Sequence, residues 1–135
     1  MTAATYLTIG TWNHIAVVRT GTGTNQTKLY INGVNVGTGT LASTSSITQP
    51  FNIGYIGEAY GQTFSGYISD FRIVNGTAVY TSNFVPPQTP LTPTTATTLL
   101  LNMDKGALVD YTKSVNLETV ADTKINNESA YNGGY

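Results

Sequence analysis

A chain of 135 residues with six Lys or Arg against seven Asp or Glu, and no cysteine, has one domain's length. It has neither the clustered basic surface that nucleic acid requires nor the means for disulfides, thiolate zinc or thiol catalysis. Charged residues make up 10%, against about 25% in ordinary globular chains; Thr, Ser, Asn and Gly replace them, which suits a hydroxyl- and amide-solvated β surface. No stretch approaches the ~20 apolar residues of a membrane-spanning helix, so membrane insertion is not expected.

In chain order, residues 4–9 (Ala-Thr-Tyr-Leu-Thr-Ile) read as a short strand punctuated by Gly10. Residues 12–20 are the best strand. Trp12, His14, Ala16 and Val18 alternate with Asn13, Ile15, Val17 and Arg19, so both faces carry apolar side chains. That pattern predicts a place in mid-sheet with cover on both sides, or a face turned to a neighbouring module. Strands at 27–32 and 34–38 complete an antiparallel meander, because Asn32-Gly33 between them supplies the two positive-φ residues of a type I′ hairpin.

A polar Ser/Thr-rich connection follows over 39–49. Phe51, Ile53 and Tyr55 alternate with Asn52 and Gly54 as a one-sided strand, and residues 58–63 form a loop. A long strand is expected from Phe64 to Val74, with Tyr67, Phe71 and Ile73 on one face and Ile68, Asp70, Arg72 and Val74 on the other. Asn75-Gly76 ends it, and Thr77–Tyr80 has room for one helical turn. Pro86, Pro87, Pro90 and Pro93 make residues 86–98 an extended strap. Thr97–Asn102, with three consecutive leucines, is a strand buried on both faces. Weaker apolar segments occupy 107–126, and the end is polar and glycine-rich. No long helix-periodic segment exists, so the class is all-β; the antiparallel β-sandwich expected within it is what the resemblance below implies.

Three blocks carry a family resemblance. Trp12-Asn13-His14-Ile15-Ala16-Val17-Val18-Arg19 with Leu29-Tyr30-Ile31-Asn32-Gly33, then Gly66 to Tyr80 (Gly-Tyr-Ile-Ser-Asp-Phe-Arg-Ile-Val-Asn-Gly-Thr-Ala-Val-Tyr), then Phe84-Val85-Pro86-Pro87 with Pro90-Leu91, together resemble laminin-G-like, concanavalin A-like jelly-roll modules over roughly residues 5–101. In this order they are similar to modules repeated in tail-fibre and other virion structural proteins of phages. The resemblance implies a jelly-roll sandwich in a virion, in contact with other virion proteins and with copies of itself.

It also implies an order of parts: 1–85 as the main part of the sandwich, 86–98 as strap or linker, and 99–135 as strands that complete the sandwich or open a next module. In such modules the Trp-containing strand lies in the second half, yet only about eleven residues precede it. Two completions are open. The chain is part of a longer multi-module protein, or its C-terminal strands fold back or complete a neighbouring subunit. Assembly with neighbours is the favoured expectation, because an open sheet edge is an aggregation liability.

Few groups offer chemistry. His14 is the only histidine and has no apparent catalytic partner in the sequence. A glycoside hydrolase needs two carboxyl groups facing across the scissile bond. No i, i+2 acid pair occurs; Asp70 stands alone on its strand and Glu58 alone in its loop. No enzyme activity, catalytic residue or cofactor is expected. A surface ion pair between Asp70 and Arg72 is expected from their i, i+2 spacing. For calcium, which takes six to eight oxygens, a composite site on Asp104 or Asp110 is the one arrangement left open.

Aromatic contact is the better prospect. Nine tyrosines against four phenylalanines favour polar-tipped rings that suit interfaces. Tyr55, Glu58, Tyr60 and Gln62 bring rings, an acid and an amide together around one loop. That set suits a host-surface polysaccharide, or else is an ordinary hairpin loop. The leading expectation is a non-enzymatic structural module of a phage particle, in a tail appendage or on the capsid surface; the alternative is a lectin-like adhesin.

Overall fold

The computed structural model describes residues 6–42, 51–55, 63–102, 109, 110 and 112. They form two three-stranded antiparallel sheets, with no helix among them. The first holds β1 (Ile15–Arg19), β2 (Thr27–Ile31) and β3 (Val34–Gly39) in the order β1-β2-β3. The second holds β4 (Phe71–Val74), β5 (Thr97–Asn102) and β6 (Val109–Asp110) in the order β4-β5-β6. The all-β antiparallel expectation therefore holds, and the chain builds part of a β-sandwich.

The meander follows from its turns. Asn32 (φ 49°) and Gly33 (φ 78°) make the tight turn between β2 and β3. The looser β1–β2 connection closes through Thr20 N–H to Gln26 O (2.9 Å) and through the Gln26 side chain, whose Oε1 accepts from Gly23 N–H at 2.8 Å. In the β2–β3 ladder the register shifts between Leu29 and Tyr30, a bulge whose extra residue, Val36, is buried.

The core gathers around β2, whose consecutive residues Tyr30 and Ile31 are buried on opposite faces of the first sheet, and around β5. Val18, Tyr30, Ile31 and Val36 are buried, as are Leu100 and Leu101. Successive strand residues face opposite ways, so the burial of both Leu100 and Leu101 bears out the expectation for the leucine run. Segment 80–84 lies over the first sheet. Phe84 stacks on Tyr80 (centroids 3.6 Å, planes 6° apart) and meets His14 edge-on at 5.4 Å and Tyr30 at 5.5 Å. Phe84 N–H donates to Gly33 O (2.9 Å), Asn35 N–H to Asn83 Oδ1 (2.9 Å) and Lys28 Nζ to Thr81 O (2.8 Å).

Four sequence expectations need correction. Residues 6–9 are not a strand: Asn13 accepts from Thr8 N–H and donates to the carbonyls of Thr8 and Thr11, and Gly10 takes φ 78°, so the chain is knotted into turns. The strand expected from Phe64 begins only at Phe71. Asp70 takes φ 52°, and that left-handed residue breaks the alternation that would put Tyr67 on the face of Phe71. Residues 77–80 form bends rather than a helical turn. At 51–55 only an isolated bridge, Tyr55 to Thr63, forms.

Asp70 and Arg72 do not pair with each other. Asp70 Oδ1 accepts from Leu91 N–H (3.1 Å), Arg72 Nη1 donates to Thr92 O (3.2 Å), and Asn102 Nδ2 donates to Leu91 O (3.0 Å). The proline strap is thus latched to the second sheet by three side chains at Leu91 and Thr92. A strap rich in proline has few N–H groups for a ladder, so side chains from the sheet hold it instead.

Candidate functional site

The groups that carry chemistry are engaged in structure. Asp110 is buried, and its Oδ1 accepts from Leu100 N–H (3.3 Å), Thr112 N–H (2.9 Å) and Thr112 Oγ1 (2.7 Å). Donors meet this carboxylate among the described residues, and residues 103–108 and 111 beside it lie outside them. Asp104 lies outside the described residues. Among the described residues no group of three His, Cys, Asp or Glu side chains converges.

His14 is half-buried beside the stacked rings of Tyr80 and Phe84, near-perpendicular to both at 5.9 and 5.4 Å. Burial, and secondarily the positive charge of Arg72, hold its pKa below the ordinary 6.5. The fold therefore favours neutral imidazole. Its contribution to stability is complete above the unfolded value and is lost as pH falls through the lowered folded value, because the unfolded chain binds the proton first. The melting temperature should fall from about pH 7 to about pH 5, a window in which histidine is the titrating side chain, and His14→Phe should flatten that slope. An unchanged slope in the variant would assign the effect elsewhere.

Of the four expected carbohydrate contacts, the structure places one. Tyr55 is 36% exposed at the base of a hairpin closed by its bridge to Thr63 and by Phe64 N–H to Gly54 O (2.8 Å). Glu58, Tyr60 and Gln62 lie outside the described residues. Sequence reasoning passed over three further exposed rings in this part of the chain: Phe51, Phe64 and Tyr67, at 61, 58 and 62%. Gly66 was the available signal for one of them. A Cβ there would come within 2.9 Å of the Phe64 ring, so the glycine makes room for Phe64 to lie against the backbone.

The open edge of β1 is the other candidate. Asn32 N–H donates to His14 O (2.8 Å) and Thr20 N–H to Gln26 O. Peptide groups alternate in direction along an antiparallel strand, so His14, Ala16, Val18 and Thr20 face β2. The peptide groups of Ile15 and Val17 then point away from the sheet, where no described residue meets them. Their side chains are 58 and 71% exposed. The outer face continues into a shallow depression of about 240 Å³ lined by Val17, Leu29, Gly37 and Gly39 among others; a Cβ at either glycine would meet nothing within 4 Å.

The opposite edge, β3, is blunted. Asn83 Oδ1 takes Asn35 N–H, and Asn35 Oδ1 takes Gly37 N–H (3.1 Å). Among the described residues β1 forms an edge, so of the two places expected for it, mid-sheet or turned to a neighbouring module, they do not supply the first. Its second apolar face is nevertheless real: Ile15 and Val17 are exposed on it, whereas Ile31, the partner of Ile15 on β2, is buried.

A family model for the concanavalin A-like lectin/glucanases superfamily, of the laminin G type, matches residues 1–81. No curated protein and no solved structure matches the chain. The match takes in the first sheet, the Tyr55 hairpin, β4 and Tyr80; the strap and β5 follow it.

Proposed function

The chain belongs to the concanavalin A-like lectin/glucanases superfamily, and on that premise we propose that it is a non-enzymatic structural module of a phage particle, in a tail fibre, appendage or capsid surface. The superfamily contains lectins and glucanases alike, so membership does not confer hydrolysis. The two described acids, Asp70 and Asp110, are engaged in holding backbone and hydroxyl groups. The virion setting is supported by the three sequence blocks and by the low-charge, Thr- and Asn-rich composition.

The observation that carries this reading is the edge of β1, which no described residue pairs and where Ile15 and Val17 are exposed. A second copy can add to it antiparallel about a two-fold axis at Ala16. Ile15 of each copy then faces Val17 of the other, and each pair exchanges two backbone hydrogen bonds. Neither position places a charge in the seam. Sedimentation across a range of concentrations tests the pairing. The native protein should associate, and Val17→Lys, which puts a lysine on the edge as natural edge strands do, should stay monomeric with its circular dichroism unchanged. A native protein that is monomeric throughout, or a lysine variant that associates equally well, would count against it.

The second reading, a lectin-like adhesin for host polysaccharide, is favoured by the exposed rings of Tyr55, Phe64 and Tyr67. Such rings offer large, rigid contact area with a polar tip on tyrosine. Glycan-array binding that Tyr55→Ala or Tyr60→Ala leaves intact would remove these loop residues from the site.

A further inference from the structure

Asn-Gly occurs at 32–33, 75–76 and 132–133. The last pair lies outside the described residues; the other two sit in contrasting surroundings. We infer that Asn75 is a site of spontaneous deamidation and that the fold protects the identical dipeptide at Asn32.

The reaction needs a free asparagine side chain, a mobile following peptide and water. Hydroxide removes the Gly76 amide proton, and that nitrogen adds to Asn75 Cγ. The bond from Cγ to the side-chain nitrogen breaks and ammonia leaves, giving a five-membered succinimide. Water then opens the ring at either carbonyl, yielding aspartate or isoaspartate. One water is consumed for each ammonia released, nothing is oxidised or reduced, and the chain gains a negative charge.

Glycine is the most permissive residue at the attacking position because it has no side chain to crowd the ring. Asn75 and Gly76 are both exposed. The Asn75 side chain has no hydrogen-bond partner among the described residues; only its backbone N–H is held, by Ala96 O at 2.9 Å. A Cβ on Gly76 would meet nothing within 4 Å, so space for the ring is present.

Asn32 is also exposed but differs in its side chain and in the peptide that follows it. Its Oδ1 accepts from His14 N–H (2.9 Å) and its Nδ2 donates to Asn13 Oδ1 (3.1 Å). Gly33 is buried, and its carbonyl is held by Phe84 N–H. Cyclisation there requires both side-chain hydrogen bonds to break and the turn to rotate out of a packed surface. Two ordinary hydrogen bonds alone slow it at least about tenfold relative to Asn75.

The consequence falls on the second sheet. Isoaspartate adds a backbone methylene one residue beyond β4, beside the Asn75–Ala96 bond and the shift of register at Ile73/Val74. Ageing would therefore loosen the end of the β4–β5 pair.

The test is incubation of the intact protein at mildly alkaline pH in ¹⁸O-water, with peptide mapping by mass spectrometry and a parallel sample in denaturant. In the native sample ¹⁸O should enter at residue 75 at least about tenfold faster than at residue 32. In denaturant, where the shared Asn-Gly chemistry alone remains, the two rates should converge. Asn75→Gln, whose longer side chain would have to form a six-membered ring, should abolish the label at 75 in both samples. Equal native rates at 32 and 75, or a native Asn75 that stays unlabelled while the unfolded one reacts, would overturn the assignment.

Discussion

Gly33→Ala should destabilise the protein by about 3–5 kcal/mol, more than the same change at an open glycine such as Gly10. Three costs coincide at this residue. Gly33 takes φ 78°, which costs an L-residue about 1–2 kcal/mol. A Cβ would collide with the carbonyl oxygen of Phe84 and lie 3.2 Å from Pro86 Cδ; the first is backbone and cannot swing aside. Relief requires segment 80–84 to withdraw, which breaks the Phe84 N–H to Gly33 O bond, worth about 1 kcal/mol net. It also disturbs the rings of Phe84, Tyr80 and His14, worth about 0.5–1.5 kcal/mol per aromatic pair. Gly10→Ala is the control, because Gly10 has the same φ and open space around it; it should cost the conformational part alone. Urea titration of both variants measures the difference. Equal losses would show that segment 80–84 is not held against the turn.

Tyr30 should give a pair of opposite results. It is fully buried at the centre of the first sheet, against Phe84, so Tyr30→Ala should cost about 3–5 kcal/mol through lost burial and the cavity left behind. Yet its hydroxyl makes no hydrogen bond among the described residues. A buried hydroxyl without a partner costs free energy, so Tyr30→Phe should leave stability unchanged or raise it by up to about 1 kcal/mol. Thermal and urea denaturation of the two variants test this. A loss above about 1 kcal/mol in the phenylalanine variant would mean that the hydroxyl has a partner.

The parts of the fold legible in sequence were those fixed by local signals. Asn32-Gly33 announces its turn because both residues must take positive φ, and Thr97–Asn102 announces itself through three leucines whose alternation requires cover on both sides. Illegible parts depended on side chains that reach back to the backbone. Nothing in the spacing of Asn13 predicts that it will hold Thr8 and Thr11 in a knot. Asp70 reads as an ordinary strand residue until its φ of 52° and its bond to Leu91 N–H turn it into the latch of the strap.

The β1 edge was half legible. Apolar residues on both faces of 12–20 correctly signalled a second apolar surface. Which surface would stay open depended on the order of strands, and that order is set by the two hairpins and by Asn83 closing the opposite edge. For the Tyr55 loop the sequence named the rings by proximity. Phe64 and Tyr67 were missed because the strand expected through them would have turned Tyr67 into a face with Phe71.

Assembly through β1 is most directly tested by residue-resolved hydrogen exchange at increasing protein concentration. Ala16 and Val18 donate to β2 in every copy and should be protected throughout. The amides of Ile15 and Val17 should exchange quickly in dilute solution and gain protection as concentration rises. Fast exchange at those two amides at every concentration, with Ala16 and Val18 still protected, would contradict pairing of copies through this edge.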